Sequence, residues 1–496
     1  MPVSGEGINR GAITLCVTLA TLMQALDTTI ANVALPYMQG SVSASQDQID
    51  WVLTSHIVAA AIMTPPTGFL ASRFGFKRLF IVSIGGFTVA SMLCGMAQSL
   101  TQIVLFRMLQ GAFGAALVPL SQSVLFSIYP KERHGFAMGL FGLGVMVGPV
   151  LGPVLGGWLT ENYSWRYVFY INLPIGILGL IGMTLFLPES KRDTAERLDW
   201  IGFGALSVTL GALQILLDRG EIKDWFSSGE IVLEAVVAAS AFYLFLVHTF
   251  TAEKPFVRPA LFCDRNFTAG VIFIAVIGLT YYASLALQPT YLQELMNYPV
   301  VSAGIVMGPR GVGTMAAMVI VGRLVGRFDT RVLLGFGLSL TAWSFYAMTG
   351  WTPDISQGEI ISVGVVQGIG LGFLFVPLSA TALSTLSPEQ RTEGAGFYNL
   401  ARNIGSSVGI SVVNALLTRN TQVNHASIVE HVTPLNRGFA RRPAFLESVD
   451  GRGKGGTRRR DNTTGTDHRL HRRLQTVDDR DPCGTAAVTR VLATIG

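Results

Sequence analysis

Apolar runs of about 20 residues recur along most of the chain, separated by short polar segments that hold most of its charges. A run of that length crosses about 30 Å of hydrocarbon as a helix. Taken in order, the runs predict thirteen membrane-spanning helices, near residues 12–34, 50–70, 79–98, 102–122, 136–157, 169–187, 199–217, 230–250, 267–289, 301–321, 332–350, 359–382 and 395–417. The first run is too long for a signal peptide and has no clear cleavage site, so it is read as the first span.

The basic residues test this assignment. One alternate set of loops carries Arg10; Arg73, Lys77 and Arg78; Lys131 and Arg133; Lys191, Arg192 and Arg197; Lys254, Arg258 and Arg265; Arg323, Arg327 and Arg331; and Arg391. The opposite set carries Arg166, Arg219 and Lys223. Basic loops stay cytoplasmic, so the 16-to-3 split supports the span count and predicts a cytoplasmic N-terminus.

The chain also resembles itself at an offset of about 254 to 259 residues. Gly68-Phe-Leu-Ala-Ser-Arg73-Phe74 matches Gly322-Arg-Leu-Val-Gly-Arg327-Phe328, Gln110-Gly111 matches Gln367-Gly368, and Pro119-Leu120-Ser121 matches Pro377-Leu378-Ser379. Pro130 to Arg133 matches Pro388 to Arg391. Both copies start on the same side, so the repeat is parallel, the organisation of transporters that rock two halves around a central site. The expected division is an N-terminal six-helix half (1–190), an inserted helix pair with its loops (191–262), a C-terminal half (263–418) and a polar, Arg-rich tail (419–496).

Composition narrows the function. Half of the residues are hydrophobic and 14% are charged, whereas soluble domains carry about 25% charged residues. The basic balance follows topology and does not suggest a nucleic-acid partner. Cys16, Cys94, Cys263 and Cys483 are scattered without metal-ligand spacing. No catalytic triad, paired-carboxylate site or metal constellation is visible, so no enzyme and no cofactor are expected. The glycine-rich stretches lie inside apolar helices, where no phosphate-cradling loop forms. An ion gradient is therefore the expected energy source.

Several segments resemble the major facilitator superfamily, and within it the fourteen-helix drug:proton antiporters of the EmrB/QacA type. Gly68 to Arg78 resembles the signature loop between helices 2 and 3, and Arg107-Met-Leu-Gln110-Gly111 the helix 4 motif. Gly144-Val-Met-Val-Gly148-Pro149, continuing to Gly152-Pro153 and Gly156-Gly157, resembles the helix 5 antiporter motif. Leu26-Asp27-Thr-Thr-Ile-Ala-Asn-Val-Ala-Leu-Pro36 resembles the helix 1 motif, and Trp165-Arg166-Tyr167 with Ile171-Asn172-Leu173-Pro174 fits the same group. The chain departs in having Ser72 where the signature loop usually has an acid, and in lacking a visible fourteenth helix.

The candidate mechanism rests on charges at membrane depth. Asp27 lies deep in an apolar run, where an ionised carboxylate is costly, so it is a candidate for exchanging a proton. The alternative is a permanently paired structural acid. Arg107 shares a helical face with Gln110, Gly111 and Gly114 and is read as turned inward. The resemblance implies proton coupling for it, with a structural partner as the alternative. Thr14, Thr18, Thr21, Thr28 and Asn32 form a polar stripe on the first helix, with Gln24 and Asp27 to one side. That stripe fits either a cavity wall or hydrogen bonding between helices.

Gln24, Asn32, Gln110, Arg310 and Arg402 are the candidates for a substrate cavity, and His56 is a weaker one. By the resemblance, Gly68 and Arg73 latch the helix 2–3 hairpin. Gly144, Gly148, Pro149, Gly152, Pro153, Gly156 and Gly157 control closure, which is compatible with plain close packing.

After about residue 437 the composition changes to 12 Arg and one Lys with no apolar run. That segment reads as a frame-shifted end that replaces a last helix, or as a basic tail for an acidic partner or lipid head groups. The expected function is proton-coupled export of drugs and other amphipathic or lipophilic compounds across a bacterial inner membrane. The alternatives are export of one metabolite or siderophore, or an inactive truncated transporter. The resemblance implies a periplasmic adaptor and an outer-membrane channel as partners.

Overall fold

The computed structural model describes residues 9–189, 198–388 and 390–431, and every regular element among them is helical. The first half contains α1 (Arg10–Val42), α2 (Gln46–Ile49), α3 (Trp51–Met63), α4 (Thr67–Phe74), α5 (Phe76–Met96), α6 (Leu100–Gly114), α7 (Leu117–Ile128), α8 (His134–Asn162), α9 (Tyr167–Tyr170) and α10 (Asn172–Phe186). Next come α11 (Trp200–Arg219) and α12 (Gly229–Thr251). The second half contains α13 (Arg265–Thr290), α14 (Val300–Leu324), α15 (Thr330–Met348), α16 (Gln357–Ser384) and α17 (Arg391–His431).

Each predicted span has a helix or a helix pair in its place, and the differences have local causes. The span at 50–70 is two helices, α3 and α4, bent by 59°. Pro65 and Pro66 fall at the break, where two missing N–H donors interrupt the helical ladder. Gly75, at φ +88, then turns the chain from α4 into α5. The span at 102–122 is divided into α6 and α7.

Among the described residues, eleven helices are long and apolar enough to cross a membrane, or twelve with the bent pair. Helix α15 is outside that set, because Arg331, Trp343 and Tyr346 lower its hydropathy. Helix α17 runs to His431, past both the predicted end at 417 and the tail boundary at 419. Its Thr, Asn, Gln and His residues are polar but continue a helix, and no Gly or Pro follows Gly409 until Pro434. The predicted change at 437 and the missing fourteenth helix lie outside the described residues.

Helix α1 packs against α8, α10 and α7, while α6 packs against α3 and α5. In the second half α16 is the hub, in contact with α13, α14 and α15, and α13 also packs along α17. The halves meet where α8 runs against α14 and where α17 crosses α4 and α7. Helix α11 stands against both α3 and α17. Large apolar side chains such as Leu244, Phe250 and Tyr346 are exposed around the outside, as expected for a surface facing lipid.

Both halves use one device to bring helices together. A side-chain carbon at Gly111 would lie 2.3 Å from the backbone oxygen of His56, and one at Gly368 would lie 2.1 Å from that of Arg310. Glycine at each place lets two helix backbones touch. His56 and Arg310 are therefore equivalent positions, at the same 254-residue spacing as Gly68 and Gly322.

Candidate functional site

Four helices converge on Asp27. The residue is fully buried on α1, and Arg107, on α6, is 1% exposed. Arg107 donates from Nη1 to Asp27 Oδ2 at 2.6 Å. Gln110 Nε2 and Asn172 Nδ2 donate to Asp27 Oδ1 at 2.7 and 2.9 Å. Arg107 in turn reaches the Val52 carbonyl of α3 through Nε at 3.1 Å and Gln110 Oε1 through Nη1 at 2.7 Å. Its guanidinium also lies over the Phe169 ring at 5.7 Å.

Helical spacing explains the arrangement. Arg107 and Gln110 are three residues apart on one face, so one helix supplies both donors. Asn172 begins α10 and is braced by Ser91, whose Oγ accepts from Asn172 at 2.9 Å and donates to the Phe169 carbonyl at 2.9 Å. A buried carboxylate is tolerated when a counter-charge and hydrogen bonds satisfy it, and this one has both.

The sequence singles out Asp27, Arg107 and Gln110, and the structure brings these three together. Asn172 and Ser91 complete the cluster without having been singled out. The available signal was Asn172 itself, a polar residue in an apolar run within the motif at 171–174. Gln110 was expected at a substrate cavity, but both ends of its amide are engaged in the cluster. Gln24 lies half-buried on α1 with its Oε1 lacking a partner. Asn32 is exposed and stands apart from the cluster. His56 is buried with its Nδ1 unpartnered.

The polar stripe of α1 largely faces another helix. Thr14, Thr18, Thr21 and Thr28 bond back to carbonyls of their own helix. A side-chain carbon at Gly144 of α8 would fall 2.7 Å from Thr18 Cγ2 and 2.8 Å from Thr21 Oγ1. One turn along, Gly148 faces the backbone of Ala25, at 2.4 Å, and one turn further Gly152 faces Thr29 Oγ1, at 2.2 Å. Thr29 donates to the Gly148 carbonyl at 3.0 Å.

Gly156 continues the seam against Ile30. Gly157 is buried, and Pro149 and Pro153 lie inside α8. On its other side α8 touches the second half. A side-chain carbon at Gly139 would meet the Met318 carbonyl at 2.7 Å, and Val150 fills the space beside Gly311.

Gly68 sits where α4 meets α17, and a side-chain carbon there would lie 2.9 Å from Glu393 Cα. Arg73 is half-buried in the last turn of α4. Nearby, Ser123 and Thr392 join the halves hydroxyl to hydroxyl at 2.7 Å, and Asn399 donates to Gln122 at 2.7 Å. Arg402 is half-buried on α17 and reaches Asn403 Oδ1 at 3.5 Å. Arg310 is buried on α14 between Tyr281 and Gln288 of α13.

A second polar link went unpredicted. Gln214 of α11 donates to Asp218 at 2.9 Å and accepts from Ser407 of α17 at 3.0 Å, and Thr54 of α3 hydrogen-bonds Asp218. Helix α11 thereby ties the first half to the second.

A bundle of many apolar helices, with a buried ion pair between α1 and α6 and a glycine seam between α1 and α8, is the build of a multi-pass membrane protein. The sequence model of the Major Facilitator Superfamily matches residues 17–410, and the chain belongs to that family. It is 38% identical over 435 residues to the multidrug export protein EmrB of Escherichia coli (strain K12), covering 87% of this chain and 85% of that protein. It is 37% identical over 442 residues to the fatty acid resistance protein FarB of Neisseria gonorrhoeae, covering 89% and 87%. The fold is similar to the crystal structure of the human organic anion transporter MFSD10 (TETRAN), with a TM-score of 0.58, 15% identity, and 82% and 94% of the two chains covered.

Proposed function

We propose that the protein exports drugs and other amphipathic or lipophilic compounds, driven by protons and acting as a carrier rather than an enzyme. Relatives named for multidrug export and for fatty acid resistance, similar over most of the chain, support the substrate class. The observation that carries the coupling is the Asp27 cluster. In it, one titratable carboxylate joins α1 to α6 and α10, and its arginine partner reaches α3.

Protonating Asp27 removes the charge that anchors Arg107 and one acceptor of the cluster. Arg107 keeps its bonds to Val52 and Gln110, so the joint between α1 and α6 weakens first. Helix α1 is locked to α8 by Thr29 and the glycine seam, within two residues of Asp27. Helix α8 is packed in turn on α14 of the other half. A shift of α1 is therefore passed directly to the interface that alternating access must rearrange.

The gradient replaces a bound cofactor in this scheme. The skew of basic loops supports a cytoplasmic N-terminus, and the bacterial relatives support the bacterial inner membrane as the location. A periplasmic adaptor and an outer-membrane channel are the partners that would extend export beyond the periplasm.

The test is dye efflux from cells expressing the chain, beside Asp27→Asn at matched membrane expression. Efflux that collapses with an uncoupler and is lost in Asp27→Asn is the expected result. Efflux that persists in Asp27→Asn and ignores the uncoupler would refute proton drive.

A further inference from the structure

The inserted helix α11 lies between the Asp27 cluster and the second half. Arg107 Nε ends on the Val52 carbonyl of α3 at 3.1 Å. Two residues on, about 200° round that helix, Thr54 hydrogen-bonds Asp218 of α11. Asp218 accepts from Gln214 at 2.9 Å, and Gln214 Oε1 accepts from Ser407 of α17 at 3.0 Å. One turn further along α17, Ser411 donates to the Leu217 carbonyl at 2.8 Å. Helix α3 is therefore held by Arg107 on one face and by α11 on another.

The residue types at this joint are costly for a helix that merely fills space. Gln214 is 6% exposed in an apolar helix, and both ends of its amide are engaged, one toward Asp218 and one toward the other half. A carboxylate carried by a membrane span is expensive and marks a working part. Apolar contact seats α11 on α3 as well: a side-chain carbon at Gly211 would lie 3.5 Å from Ile62 Cδ1 and 3.9 Å from Val58 Cγ1. Helix α17 is pinned at its start, where Glu393 meets Gly68 and Thr392 meets Ser123. Ser407 lies about 21 Å farther along that helix, at 1.5 Å per residue. A pull at Ser407 therefore acts on a long lever.

We propose that α11 is a second route of transmission, which carries the displacement of α3 that follows protonation of Asp27 across to α17, with Gln214 as the positioning residue at the joint. Protonated Asp27 frees α1 from Arg107, while the Val52 contact keeps α3 with α6. Helix α3 then draws Asp218 and, through Gln214, the later half of α17. This route is separate from the seam of α1, α8 and α14. The inference rests on the reading of Asp27 as the proton site and extends it to the inserted helix pair.

Arg107, His56 of α3 and Cys94 of α5 are the titratable groups at the Asp27 cluster. Asp50 faces Asp218, and Arg219 stacks on Trp51 at 5.3 Å. Contiguous contacts give a route, and a measured response shows whether it carries energy. Spin labels are attached at Gln48→Cys, exposed just before α3, and Thr418→Cys, exposed on α17. The full chain, with its own cysteines replaced by alanine, is held in lipid nanodiscs, and the label separation is measured by pulsed electron resonance at about pH 5 and about pH 8.

The labelled parent is expected to show a pH-dependent change in separation that Asp27→Asn abolishes. Gln214→Leu is expected to lose at least about half of that change. Asp218→Asn, whose amide oxygen still accepts from Thr54 and Gln214, is expected to keep it. Where Gln214→Leu does not fold, Ser407→Val and Ser407→Thr carry the test. The two share a shape and differ in the hydroxyl, so the valine is expected to lose the change and the threonine to retain it.

No pH-dependent change in the parent, or a full change in Gln214→Leu or Ser407→Val, would overturn the proposal. So would a change that survives Asp27→Asn or vanishes in Asp218→Asn, either of which puts the sensor elsewhere. Uncoupler-sensitive dye efflux by the unlabelled chain, measured in parallel, reports on proton-driven export separately. Such efflux together with a full change in Gln214→Leu removes α11 from the route and leaves the exporter standing.

Discussion

Arg107 and Asp27 are 80 residues apart in sequence and meet at 2.6 Å, with the arginine 1% exposed and the acid fully buried. Gln110 and Asn172 fill the other carboxylate oxygen, so the acid's charge is balanced and its acceptors are engaged. Such a pair is stable while both partners are charged and is upset by the arrival of one proton.

Asp27→Asn tests the balance. The amide keeps the shape but leaves Arg107 buried without a counter-charge, and breaking a buried pair costs about 3–5 kcal/mol. Thermal unfolding in detergent is expected to show a clear loss of stability. The double variant Asp27→Asn with Arg107→Gln is expected to recover a large part of it. Neither is expected to support uncoupler-sensitive efflux, which separates the role in folding from the role in coupling.

The glycine seam gives a steric prediction. A side-chain carbon at Gly148 would fall 2.4 Å from the Ala25 backbone, and one at Gly152 would fall 2.2 Å from Thr29 Oγ1. Gly148→Ala must push α8 away from α1, and overpacking of this kind costs about 1–3 kcal/mol. Gly335→Ala, where nothing lies within 4 Å, is the control and is expected to be neutral. Unfolding temperatures of the two variants beside the native protein check the contrast.

The halves approach each other closely at Gly68. A side-chain carbon there would lie 2.9 Å from Glu393 Cα, so Gly68→Ala disfavours the state in which α4 and α17 touch. The Ser123 and Thr392 hydroxyls, 2.7 Å apart, report on the same state. Cysteines at these two positions are expected to cross-link readily under mild oxidation, and Gly68→Ala is expected to slow that cross-linking several-fold. An unchanged rate would mean that Gly68 does not hold the halves in this arrangement.

Asp199 ties the start of α11 to α12. Its carboxylate accepts from the Gly202 amide at 3.0 Å, from the Phe256 amide at 3.0 Å and from His248 Nε2 at 2.9 Å. Burial works against its charged form. The Gly202 amide, His248 and the Phe256 amide outweigh burial and hold its carboxyl below the usual carboxylate range. A carboxylate with a lowered native value stabilises the fold above its unfolded value and stops doing so as pH falls through the lowered one. The native protein is therefore expected to exceed Asp199→Ala by about 1 kcal/mol near pH 6, the size of an N-cap contribution. That margin is expected to shrink below about pH 4, as read from unfolding temperatures across the range.

The helices were legible because each span announces itself as an apolar run, and the repeat was legible because turn residues such as Pro130 and Pro388 recur in register. Asp27 and Arg107 stood out as charges among apolar neighbours. Their contact was not legible, because it depends on how α1 and α6 are rotated and how closely Gly111 lets α6 approach α3. The same rotation turns Thr18 and Thr21 against Gly144, where the sequence left a cavity wall and a helix contact equally open. The bend at Thr64 to Pro66 went unread within the span at 50–70, although Pro65 and Pro66 mark it. The tie from Thr54 through Asp218 and Gln214 to Ser407 joins three separate helices, and no spacing along one chain reports such a contact.

The most direct test of proton coupling at Asp27 uses the purified chain in liposomes that enclose a pH-sensitive dye. An exported lipophilic compound is added and proton movement is followed with no imposed potential. The account predicts proton flux opposite to the compound in the native protein and none in Asp27→Asn, although that variant still binds the compound. Native-like proton flux in Asp27→Asn would contradict it.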